Sequence, residues 1–130
     1  MSALEDVKAR IGAVEEAYEF FLAYAAQGVS GDGAAKAGSQ LRTFLAKAVD
    51  ALDGMADAVG AAVTEGPQGR TPAWNDMLDV LARDASAALA AVRLVSEQSS
   101  VSSQLVDNLN ANIHLRALLT DLFLVDDLLR

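Results

Sequence analysis

Apolar residues recur near the start of the chain at Leu4, Val7, Ile11, Val14, Tyr18, Phe21 and Ala25, with spacings that alternate between three and four. A period of about 3.5 belongs to a helix packed along a bundle seam, so a first helix is predicted over residues 2–27. Ser2 followed by Glu5 forms a capping box for its free amides, and Gly28-Val29-Ser30-Gly31-Asp32-Gly33 stops it. A second helix is predicted over 34–64, with Leu41, Leu45, Ala48, Leu52, Met55, Val59 and Ala62 on one stripe. Gly38, Gly54 and Gly60 lie inside it, each costing about 1 kcal/mol of helix propensity relative to Ala. They are read as points of close helix contact.

Glu65-Gly66-Pro67-Gln68-Gly69-Arg70-Thr71-Pro72 holds both prolines of the chain and reads as a loop. Thr71 can cap the next helix with Pro72 at its first position, where a missing amide hydrogen costs nothing. That third helix is predicted over 72–97, through Trp74, Leu78, Leu81, Ala85, Ala88, Val92 and Val95. From Ala73 onward there is neither glycine nor proline, so its end rests on a serine cluster, Ser96, Ser99, Ser100, Ser102 and Ser103. Serine competes with the helix backbone and prefers caps. The apolar heptad also slips by one residue between Leu81, Ala88, Val95 and the later Val101, Leu105, Leu115, Leu119, Leu122. One residue turns the apolar face by about 100°. A break near 97–102 fits both signals, and a single continuous helix is the alternative left open.

The fourth helix, over 101–129, is apolar around most of its circumference from Leu115 onward, with a polar strip through Asn112, Arg116, Thr120 and Asp127. A helix apolar nearly all round is central in its fold or covered on its second side. No helix of a single-layer bundle is central, so Leu115, Leu118, Leu122, Val125 and Leu129 are expected to form an interface with a second chain, a homodimer being favoured. The other reading leaves Leu118, Leu124 and Leu128 partly exposed at a frayed end. The fold expected is all-α, an up-down antiparallel four-helix bundle, with residues 1–130 forming one domain.

Composition narrows the function. The 130 residues are 52% hydrophobic and carry a net charge of −8. An acidic surface suits neither nucleic acid nor anionic lipid. No cysteine is present, which removes disulfides, thiolate metal sites and thiol catalysis. The start of the chain lacks a basic, apolar leader, and its uncharged runs fall short of the roughly 20 residues of a membrane span. A cytoplasmic protein is expected.

His114, the only histidine, lies in Asp107-x-x-Asn110-x-x-x-His114, roughly on one helix face. It could accept phosphate, or bind haem with Met55 or Met77, or join carboxylates on a metal. The run after it lacks the glycine of a phosphotransfer motif, and no Glu stands three residues before it as carboxylate-bridged bundles require. A surface or interface histidine is the simpler reading. Asn108 and Asn112 could be buried residues that fix register, or could flank the seam. Glu15, Glu16 and Glu19, and Asp50, Asp53 and Asp57, read as solvated acidic faces rather than metal or acid–base sites. The glycine run 28–33 lacks the residues of a phosphate or calcium loop and reads as a flexible connection. Phe20, Phe21 and Tyr24 plug the core at the end of the first helix, or line a pocket there.

The function expected is therefore a non-enzymatic interaction protein, a scaffold, adaptor or assembly chaperone, with no cofactor. The alternative is a bundle holding a small apolar ligand or cofactor, with His114, Asn112 or the Tyr18 and Tyr24 hydroxyls as polar contacts. Histidine phosphotransfer through His114 stands third.

Overall fold

The computed structural model describes residues 2–33 and 36–129. Among these residues six α-helices and no strand occur: α1 (Ala3–Ala26), α2 (Lys36–Leu52), α3 (Met55–Glu65), α4 (Pro72–Ser96), α5 (Ser103–Ala111) and α6 (Ile113–Leu128). The predicted caps form. Ser2 Oγ accepts from the Glu5 amide at 3.1 Å, and Thr71 Oγ1 accepts from the Trp74 amide at 3.2 Å with Pro72 in the first turn. The predicted start of the second helix at Ala34 lies outside the described residues.

α1 packs against α2 and α3 on one flank and against α5 on the other, while α4 packs against α2, α3, α5 and α6. Neighbouring rods run in opposite directions. Phe20 stacks on Phe44 whereas Arg10 reaches Asp53, and Tyr24 meets Val101 whereas Lys8 meets Asp126. The predicted stripes supply one continuous core, including Val7, Ile11, Val14 and Phe21 from α1, Leu41 and Leu45 from α2, Met55 and Val59 from α3, and Leu81 and Val92 from α4. Each fully buried side chain of this size contributes about 1.5–3 kcal/mol by leaving water. Leu4 departs from its stripe and is 41% exposed.

Two of the four predicted helices are interrupted. Gly54 adopts φ 80, the left-handed region that a side chain disfavours, and so ends α2 and starts α3. Arg10 Nη1 donates to the carbonyls of Ala51 at 3.1 Å and Asp53 at 2.7 Å, filling the acceptors that the break leaves open. Asn112 leaves the helical region at φ −60, ψ 126, and its Oδ1 accepts from the amides of His114 at 3.0 Å and Leu115 at 3.2 Å. None of the three glycines read as points of close helix contact meets another helix: Gly38 lies against the loop backbone of Asp32, Gly60 against the guanidinium of the loop residue Arg70, and Gly54 is the break. The predicted interruption at 97–102 is present, so α4 and α5 are not one helix.

Candidate functional site

The two ends of the molecule differ. At the end where α1 stops, the loop after α1 is fastened to the α4–α5 connection. Asp32 accepts from Arg42 Nε and from the Val101 amide, both at 2.6 Å, and Arg42 also donates to the carbonyls of Ser96 at 2.8 Å and Gln98 at 2.7 Å. The Arg42 hydrogen bond, chiefly, holds the Asp32 carboxyl below its ordinary range. Ser103, buried, exchanges hydrogen bonds with Val29 and donates to the Tyr24 carbonyl at 2.6 Å. Tyr24 itself donates to the Val101 carbonyl at 2.8 Å, and burial, more than the nearby Asp32, pushes its phenol up. The glycine run 28–33, expected to be a flexible connection, is thus pinned by an aspartate that accepts from two elements. Phe20 stacks on Phe44 with ring centroids 4.6 Å apart. The Tyr24 hydroxyl is thus committed to Val101, and Phe21 and Tyr24 belong to the core with Phe20 packed against it.

The opposite end is open. There α1 and α4 begin, α3 and α6 finish, and together with the 66–69 loop they surround a cleft of about 390 Å³. Leu4, Ala62, Val63, Trp74, Leu128 and Leu129 form its apolar walls, while Ser2, Glu65 and the 66–69 loop supply the polar rim. Leu4 and Leu128 are 41% and 59% exposed, so the walls face water when the cleft is empty. Gly66 closes α3 by donating its amide to the Val63 carbonyl at 3.1 Å, and Gly69, at φ 66, turns the loop back toward α4. The cleft volume falls in the range of small-molecule pockets, which combine apolar walls with few polar groups. The sequence carried two signs of it that its stripe reading did not combine. The sole tryptophan follows the only proline-rich turn, and the C-terminal leucines outnumber the positions one core face can take.

The expected interface residues lie elsewhere than predicted. Leu115, Leu118, Leu122 and Val125 are at most 3% exposed and belong to the core of this same chain, and Leu129 is packed partly against it. They cannot hold a second chain, because α1 and α4 already cover that face of α6. The apolar excess of the helix is carried instead by Ile113, Phe123, Leu124 and Leu128, all more than half exposed. His114 is exposed. Asn112 is a helix cap rather than a register-fixing core residue, and Asn108 is exposed. The buried asparagine is Asn110, whose side-chain amide finds no partner. Glu15, Glu16, Glu19, Asp50, Asp53 and Asp57 are exposed, and no group of three or more metal-ligating side chains occurs among the described residues.

One carboxyl pair escaped the sequence reading because its members are 37 positions apart. Asp84 on α4 and Asp121 on α6 meet across the helix contact, and burial, then the hydrogen bond and charge of Asp84, push the Asp121 acid up to about 7. No helix among the described residues is long and apolar enough to cross a membrane. No protein-family model, curated protein or solved structure matches the chain.

Proposed function

We propose that this chain is a non-enzymatic carrier of small apolar molecules, an up-down four-rod bundle that takes its ligand at the end where α1 and α4 begin. The observation that carries this reading is the apolar cleft of about 390 Å³ walled by Leu4, Trp74, Leu128 and Leu129. Holding Leu4 and Leu128 against water is unfavourable by about 25 cal/mol for each Å² of apolar surface, and an apolar ligand recovers that cost. Trp74, the only tryptophan of the chain, reports on the cleft directly. The test is a fluorescence titration with the neutral apolar probe N-phenyl-1-naphthylamine. One saturable site with quenching of Trp74 emission is expected, and Leu128→Glu should weaken it at least tenfold while the exposed position leaves the fold intact. Non-saturable uptake by the wild-type chain, or binding to the Leu128→Glu chain as tight as to wild type, would sink the reading.

A second reading has its own observation. Val80 stands one turn before Asp84 and Leu124 one turn after Asp121, so both lie on the outer flank of the α4–α6 contact, with exposed Leu94 on α4 and Ile113 on α6. Such a face suits self-association, with a homodimer as its simplest form. Light scattering from micromolar to millimolar protein decides it. A dimer that Leu124→Asp converts to monomer supports this reading, and a wild-type monomer throughout the range removes it.

A further inference from the structure

The rim chemistry of the end cleft selects among apolar ligands by charge. Among the described residues, Glu65 is the only charged side chain lining it. Two helices finish here, α3 at Glu65 and α6 at Leu128, and neither has a basic residue in its last turn. A helix C-terminus presents unpaired carbonyls and a partial negative charge of roughly half a unit. The N-termini that begin at the same end do not cancel this. One first-turn amide of each is capped, that of Glu5 by Ser2 Oγ and that of Trp74 by Thr71 Oγ1, Pro72 has no amide hydrogen to offer, and Glu5 and Asp6 place two carboxylates in the first turn of α1. The indole of Trp74 adds a face that attracts cations and is indifferent to anions.

We infer that the cleft recognises a small amphipathic cation, an alkyl or aryl body seated between Leu4, Trp74 and Leu128 with an ammonium or amidinium head at the Glu65 rim. This rests on the cleft being a ligand site at all. A carboxylate of the same length would lose its hydration to a rim of carbonyls and a carboxylate, with no cation among the described lining side chains to replace it. The neutral analogue would gain the apolar contacts alone.

The test uses three probes of one chain length, octyltrimethylammonium, 1-octanol and octanoate, titrated at pH 7 with Trp74 emission and calorimetry as readouts. The cation should bind tightest and octanoate weakest, with at least a tenfold gap between them. Glu65→Gln should lower the cation's affinity toward that of octanol and leave octanol unchanged. Equal affinities, or tightest binding of octanoate, would overturn the charge selection while the cleft itself stood. Absence of saturable binding by any of the three would remove the cleft reading and this inference together.

Discussion

Gly38 and Gly60 both sit inside helices at close contacts, yet they differ in what they touch, and the difference decides their replacement. A Cβ at Gly38 would run into the backbone of Asp32, which is itself held by Arg42 and Val101 and has nowhere to go. A Cβ at Gly60 would meet only the guanidinium of Arg70, the far end of a flexible side chain. Gly38→Ala should therefore destabilise the chain by about 1–3 kcal/mol, the range of overpacking. Gly60→Ala should be neutral or gain up to about 1 kcal/mol, since alanine is the better helix former. Urea unfolding of both variants checks the contrast, and equal losses would show that Arg70 is not free to move. Asp32 supports the same argument from the other side. Asp32→Ala strips the Arg42 guanidinium and the Val101 amide of their acceptor, and a loss of about 2–4 kcal/mol is expected in the same experiment.

Helix existence was legible at the level of elements, and helix continuity was not. The 3.5-residue stripe of α1 and the Thr71-Pro72 start of α4 are strong local signals, and both hold. The breaks at Gly54 and Asn112 leave no such mark, because the apolar stripe runs on through each interruption and the residue that breaks the helix is also tolerated within one. Only tertiary partners reveal them: Arg10 from α1 fills the carbonyls at Gly54, and Asn112 caps α6 with its own side chain. Asn112→Ala should cost about 1 kcal/mol, as lost caps do. The leucines of α6 went wrong for a related reason, since a stripe identifies a buried face without saying which neighbour buries it. Leu122 and Leu124 separate the two possibilities. Leu122→Asp places a charge in the core and should unfold the chain or cost more than about 4 kcal/mol, whereas Leu124→Asp, at an exposed position, should change stability by less than about 0.5 kcal/mol. Circular dichroism during thermal melting reads both. The Trp74 cleft was hidden for a further reason, because it is assembled from three segments far apart in sequence, residues 2–4, 62–74 and 128–129.

Across the whole molecule, the α4–α6 contact brings two carboxyls together, Asp84 and Asp121, and burial with the neighbouring carboxylate favours the protonated form of Asp121. The Asp121 acid, raised to about 7 by burial and by Asp84, titrates near 3.9 in an unfolded chain. Between those values the folded protein holds a proton that the unfolded chain has released, so stability falls as pH rises from about 4 to about 7 and is level above. Asp32 acts in the opposite sense: its lowered carboxyl contributes stability that is present above about pH 4 and lost on further acidification. The two windows adjoin, and together they place the most stable condition near pH 4, close to the sequence pI of 4.4. Thermal melts from pH 4 to pH 9 should accordingly show a wild-type midpoint that declines by a few degrees between pH 5 and pH 8. Asp121→Asn keeps the size of the side chain and removes the charge, so its midpoint should stay level over that interval and exceed wild type at pH 8 while matching it near pH 4. A wild-type midpoint that did not move between pH 5 and pH 8 would mean that the two carboxyls part in solution and that α4 and α6 are held together by Leu81, Leu118 and Leu122 without them.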